Sequence, residues 1–257
     1  MINKFFKMRR TIIFHHARRF AGILVLGIMI SCSGKMISKA DMETAGEWIS
    51  LFDGETLDGW KRYNAEEIGP LWIVEDGSIK CEGKGHGESS GEFGGALMTI
   101  ETFGNFELEL EWKISVKGNS GIIYHAVENQ KYSHAHATGP EYQVADDPPN
   151  SGDRSKDNKK TGANYDMYAA PATKKLMPVM QWNTSKIVYK DGKVEHWLNR
   201  EKVVEFDENS NDFAERYNKS KWSSGDYPDW NSFKEGSIAL QNHGAAVWYR
   251  NIRIRKL

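Results

Sequence analysis

Phe106, Leu108, Leu110, Trp112 and Ile114 alternate with Glu107, Glu109, Glu111 and Lys113. Strand side chains point to opposite faces in turn, so this run predicts a strand with one buried and one wetted face, long enough to lie centrally in a sheet. Residues 73–75 and 78–82 flank Asp76-Gly77, and residues 186–190 and 193–199 flank Asp191-Gly192. Asp-Gly readily takes the positive φ angles of a tight I′ turn, so both pairs predict hairpins. Asn199-Arg200 turns the chain again into residues 202–206, and residues 237–241 and 246–255 supply closing strands. Only residues 211–219 hint at a short helix. Many short strands with tight turns predict an all-β fold, a two-sheet sandwich of jelly-roll type.

Residues 146–178 interrupt this pattern with a polar stretch punctuated by Gly and Pro. It is too long for a plain hairpin, and long loops on sandwiches usually carry function. Its segment Asp146-Asp147-Pro148-Pro149-Asn150-Ser151-Gly152-Asp153 offers oxygen ligands for Ca²⁺. The spacing is not that of the helix-loop-helix calcium motif, and a solvated acidic loop is the preferred reading.

The N-terminus is of another kind. Lys4, Lys7, Arg9, Arg10, Arg18 and Arg19 precede an apolar run over residues 21–30, and no acid appears before Asp41. The run is about half the ~20 residues that a membrane-spanning helix needs. It ends in Met29-Ile30-Ser31-Cys32, similar to a bacterial lipoprotein cleavage box, so residues 1–32 read as a lipoprotein signal peptide with Cys32 as the lipidated residue. Residues 33–47 then read as a flexible tether, and residues 48–257 as one folded domain in an exported, lipid-anchored protein of the cell envelope.

Charge follows from this division. Beyond residue 31 the chain carries 28 Lys and Arg against 35 Asp and Glu, a net charge of −7, with no basic stripe. Nucleic acid is therefore not an expected partner. Cys32 aside, Cys81 is the remaining cysteine, so no intramolecular disulfide can form and stability rests on a hydrophobic core.

Three groups of residues could carry chemistry. Glu141 and Gln143, in Gly139-Pro140-Glu141-Tyr142-Gln143-Val144-Ala145-Asp146, share a strand face and set a carboxylate beside an amide. Glu141 and Asp146, five apart, face opposite ways on a regular strand and do not form the simple acid pair of an ordinary glycosidase. Glu109 and Glu111 share a face and could line a groove. His125, which follows Asn119-Ser120-Gly121-Ile122-Ile123-Tyr124, and His243, in Gln241-Asn242-His243-Gly244, could converge on Glu141 as bases or as a His-His-Glu metal set. His134 and His136, one residue apart in a loop, read as exposed. Nine Trp and ten Tyr include Trp72, Tyr124, Tyr142, Tyr165, Tyr168 and Trp182 as candidates for stacking on sugar rings.

These segments, taken with Leu51-Phe52-Asp53-Gly54-Glu55-Thr56-Leu57-Asp58-Gly59-Trp60, Gln181-Trp182-Asn183, His196-Trp197-Leu198-Asn199 and Trp248-Tyr249-Arg250-Asn251-Ile252, resemble the 3-keto-disaccharide hydrolase domain family from about residue 48 to the C-terminus. The resemblance implies a concanavalin A-like lectin/glucanase sandwich that acts on glycosides whose sugar is oxidised at C3. It also implies elimination and hydration, since a C3 ketone acidifies the C2 proton. Glu141 and His243 would then be the catalytic acid and base. Asn119, Tyr124, His125, Tyr142, Gln143, Trp182, Asn183, Gln241 and Arg250 would bind substrate. A divalent cation, calcium or another, could stabilise the enolate in place of side chains. Asn199-Arg200 stands where Asn-Gly is common in the family, and Asn242 where Asp is common. An ordinary two-carboxylate glycosidase and a non-catalytic carbohydrate-binding module are the competing expectations.

Overall fold

A computed structural model of the protein describes residues 46–91, 94–147 and 157–257. They lie in one compact unit, Lys39–Leu257. The signal segment, Cys32, most of the tether and the heart of the acidic loop fall outside the described residues. Gly46 already donates to the Lys256 carbonyl at 2.8 Å, so the folded chain is engaged two residues before Trp48.

Two antiparallel sheets form the domain. The larger runs β11 (Glu201–Asp207), β10 (Lys193–Leu198), β9 (Asn183–Lys190), β6 (Phe106–Ile114), β13 (Val247–Lys256), β4 (Ser78–Cys81) and β3 (Trp72–Glu75), with β1 (Ile49–Ser50) also paired to β13. The smaller runs β2 (Trp60–Arg62), β5 (Leu97–Thr99), β12 (Ser237–Leu240), β7 (Asn119–Ala126) and β8 (Glu141–Ala145). The all-β sandwich expected from the alternation is the fold observed. The one α-helix among the described residues, α1 (Asn211–Lys219), starts where Ser210 Oγ accepts the Phe213 amide at 3.1 Å.

β6 is the central strand its pattern predicts, between β9 and β13. Phe106, Leu108, Leu110, Trp112 and Ile114 are buried in the core between the sheets with Tyr124, Tyr142, Tyr189 and Tyr249. On its outer face Glu111, Glu109 and Glu107 pair with Arg250, Arg253 and Arg255 of β13. A bulge, with Asn251 at φ 51°, brings every one of these arginines opposite a glutamate. The predicted hairpins form, with Asp76 at φ 49° and Gly77 at 69°, and Asp191 at 50° and Gly192 at 81°. At the third turn Asn199 and Arg200 also take positive φ, 48° and 71°, a conformation that strains arginine.

In the smaller sheet, Ile122, Tyr124, Tyr142 and Val144 point to the core. Alternation turns Gly121, Ile123, Glu141 and Gln143 to the outer face. There Ile123, Met98, Ala239 and Ala126 form a second apolar cluster that holds Ala135 of a single 3-10 turn, Ala135–Ala137. This outer face is the floor of the candidate site.

Candidate functional site

Glu141 begins β8 and is 4% exposed. Its side chain leans across the strand pair over Gly121, where a Cβ would lie 2.1 Å from Oε1. The missing side chain of Gly121 is what gives the carboxyl its place. Among the described residues no hydrogen-bond donor reaches that carboxyl. Burial first, and then the charge of Glu88, push its pKa up to about 8, against an opposing pull from Lys221. Beside it, Gln143 Nε2 donates to Asn119 Oδ1 at 2.7 Å, which leaves Gln143 Oε1 buried without a partner.

The loop before β5 contributes Glu88, whose side chain is only 4% exposed. The His-Ala-His sequence of the 3-10 turn sets two imidazoles on it: His134 Nδ1 lies 3.2 Å and His136 Nδ1 3.3 Å from Glu88 Oε2. Buried Ala135 pins the turn, so the histidines on either side project to the same carboxylate. Gln241 Nε2 lies 3.4 Å from both Glu88 Oε2 and His136 Nδ1, and its backbone N–H donates to Gly121 at 2.9 Å. Burial alone would raise the Glu88 pKa, but the contacts with His134 and His136 outweigh it and hold the carboxyl at about 2.

The long loop returns alongside β8 and supplies the other wall. Gln143 donates to Ala163 at 3.1 Å and Tyr165 donates to the Glu141 carbonyl at 3.0 Å, so this loop lengthens the sheet edge. Lys221 follows α1, fixed through its amide to Asp166 Oδ2 at 2.8 Å, and its Nζ lies 4.1 Å from the Trp222 ring centre and 4.7 Å from that of Tyr165. Burial pulls its pKa down, against the pull of Glu141. Tyr165 and Tyr227 remain half-exposed at this wall.

Of the residues expected to act from sequence, Glu141, Gln143, Asn119 and Gln241 come together here. Others do not. Tyr124 and Tyr142 point to the core, where Tyr142 donates to the Trp197 carbonyl at 3.1 Å. From the sequence, His125 is expected to converge on Glu141. Instead a φ of 55° breaks the alternation and turns its ring inward to Tyr189, 4.3 Å between centres, with Nε2 2.9 Å from the Gly104 carbonyl. Asn183 is buried and accepts from the Met177 amide at 2.9 Å and from Asn199 at 2.8 Å. Trp182 and Arg250 stack on each other, 3.9 Å from guanidinium to ring centre, beside Lys113 and Glu111 of the larger sheet. Trp72 and Tyr168 are likewise buried. His243 is exposed, with its backbone bridged to Gly87. Asp146 caps the Lys117 amide at 2.7 Å, and Asp147 pairs with Lys174 at 2.8 Å.

Glu88 and Lys221 were not anticipated, and the half-buried His134 and His136 are not the exposed loop residues expected. The signal available for them was the His-x-His spacing and the glycine-flanked Gly85-His86-Gly87-Glu88. A groove of about 770 Å³ lies on the larger sheet, lined by Trp48, Glu109, Lys186, Trp197 and Arg253. Its carboxylates, Glu109 and Glu111, are paired with Arg253 and Arg250, however, and it holds no group like Glu141.

A family model described as the 3-keto-alpha-glucoside-1,2-lyase-like domain matches residues 47–255. A 3-keto-disaccharide hydrolase from Bacteroides thetaiotaomicron is 34% identical, over 91% of this chain and 96% of its own. Two crystal structures from Parabacteroides distasonis, both provisionally named glycosyl hydrolases, superpose on it. One is 36% identical with a TM-score of 0.72, covering 86% of this chain and 98% of its own. The other is 28% identical with a TM-score of 0.59, covering 82% and 100%. This chain is thus a glycosidase-type hydrolase and belongs to the 3-keto-alpha-glucoside-1,2-lyase-like domain family.

Proposed function

We propose that the chain cleaves glycosides bearing a ketone at C3, by elimination across C1–C2 and then hydration. The observation that carries the reading is Glu141, a buried carboxyl with a pKa near 8 and no hydrogen bond from a described residue. Such a group is a far stronger base than an ordinary carboxylate, and about a tenth of it is ionised at pH 7. Its carboxylate takes the proton from C2, whose acidity comes from the neighbouring ketone, and the electron pair moves onto the C3 oxygen as an enediolate. When that pair returns, C1=C2 forms and the C1–O bond to the aglycone breaks. We assign protonation of the departing oxygen to the Lys221 ammonium, which burial makes more acidic than usual. Water adds at C1, giving its proton to the Lys221 amine, and Glu141 returns its proton to C2, so both groups are restored and the net change is hydrolysis. The names of the family and of the Bacteroides relative support the keto sugar. Gln143, with its unpartnered Oε1, Gln241 and Asn119 line the floor as hydroxyl-binding groups, and Tyr165 and Tyr227 as stacking faces.

A second reading has one observation in its favour: two neighbouring carboxyls at about 2 and about 8 have the split expected of an ordinary acid and base pair. Against it, Glu88 Oε2 is engaged by His134, His136 and Gln241. Matched 3-keto and unoxidised aryl glucosides separate the two. Release from the keto substrate alone is expected, with Glu141→Gln lowering kcat by about 100-fold or more and His243→Ala leaving kcat/KM within about threefold. Equal release from both substrates would sink the elimination reading. Export and lipidation at Cys32 belong to the same proposal, and the mass of the mature N-terminal peptide tests them.

A further inference from the structure

We infer that Glu88, His134 and His136 form a binding site for one divalent transition-metal ion, with the Gln241 amide oxygen as fourth ligand. Four bonds of 2.0–2.2 Å in a tetrahedron set neighbouring ligand atoms about 3.4 Å apart. In the protein, Glu88 Oε2 stands 3.2 Å from His134 Nδ1, 3.3 Å from His136 Nδ1 and 3.4 Å from the Gln241 amide, which is itself 3.4 Å from His136 Nδ1. Those match four of the six edges of such a tetrahedron, and the ligand atoms of Glu88, His134 and His136 all lie within 4.8 Å of one another.

An ion pair accounts for the cluster less well. The two imidazoles are stacked, 4.9 Å between centres and 7° between planes, so charging both would set like charges face to face. Nδ1 of His134 is buried without a hydrogen-bond partner, as are Glu88 Oε1 and Gln241 Oε1. Rotating the Gln241 amide by half a turn exchanges its nitrogen and oxygen and brings Oε1 to the cluster, where an ion would receive it. Ser89 Oγ lies 3.3 Å from His134 Nε2, as an acceptor for an N–H on that nitrogen, which keeps the Nδ1 lone pair directed inward.

Two nitrogen donors with one carboxylate favour zinc, cobalt, manganese or iron over calcium and magnesium, which take oxygen ligands. Gln241 is bonded through its backbone to Gly121, the residue beneath the Glu141 carboxyl, so an ion held there would share a cleft with the base. On the reading of a keto substrate, that ion polarises the C3 carbonyl, and the protein adds a Lewis acid to its base.

The test is metal binding by the chelated, dialysed protein, followed by elemental analysis after equilibration with zinc and by the visible bands of tetrahedral cobalt. One equivalent per chain is expected. His136→Gln and Glu88→Gln should each weaken binding by about 100-fold, while His243→Ala should leave one equivalent in place. If a variant folds poorly, the zinc-induced rise in the melting temperature of the wild-type chain, lost in His134→Gln, provides the same decision. Substoichiometric zinc in the wild-type chain, or an unchanged equivalent in both ligand variants, would overturn the site. Binding of one equivalent without turnover of a 3-keto glucoside would leave the metal site standing and refute the substrate reading. Turnover undiminished by chelation, with no ion bound, would do the reverse.

Discussion

Replacing Glu141 by Gln should stabilise the protein while removing its activity, and the gain should grow with pH. The carboxyl has a pKa near 8 in the fold against an ordinary 4.5. Between those values the native state keeps a proton that the unfolded chain has lost, so the stability it contributes is intact below pH 4.5 and drains away as pH rises towards 8. The loss is about 1 kcal/mol at pH 5, about 3 at pH 7 and about 4 at pH 8, from about 1.4 kcal/mol per unit of displacement. Glutamine keeps the shape, cannot ionise and escapes that cost, while the titrating groups remote from Glu141 are common to both proteins and cancel. Denaturant unfolding of both chains with chelator present, at pH 5 and pH 8, measures the difference directly. A stability gain that widens by about 3 kcal/mol across that range is expected. An equal difference at both values would mean that Glu141 ionises as it does in water, and the case for it as a tuned base would fall.

Gly121→Ala should cost about 100-fold or more in kcat, because the new methyl would meet Glu141 Oε1 at 2.1 Å and displace the carboxyl; thermal melting run in parallel distinguishes this from unfolding. Lys221→Met removes the charge that holds the Glu141 pKa down, so the acid limb of the pH–rate profile should move to higher pH; a limb that stays in place argues against contact between the two charges. Arg200→Gly relieves a residue held at φ 71° and should raise stability by about 1 kcal/mol, read as a higher denaturant midpoint.

Local patterns carried much of this fold. The alternation over Phe106–Ile114 marked β6 and its buried face, and Asp76-Gly77 and Asp191-Gly192 marked hairpins, because periodicity and turn chemistry act over a few residues. The same rule set Glu141 and Gln143 on one face. It fails at His125, where a single positive φ reverses the side chain, and it sets Tyr142 opposite Glu141, on the core side with Tyr124, although both tyrosines were expected to bind substrate.

What the sequence alone determined was therefore the all-β class, the hairpins, the family resemblance and the polar strand that carries Glu141. Tertiary structure decided which distant residues meet it. Glu88 comes from a loop 53 positions earlier and Lys221 from a turn 80 positions later. The His-Ala-His turn reaches the site because Ala135 is buried against Ile123. Such meetings depend on how two sheets and their loops pack, and so does the burial that lifts the Glu141 pKa to about 8, since desolvation belongs to the folded surroundings and not to the residue.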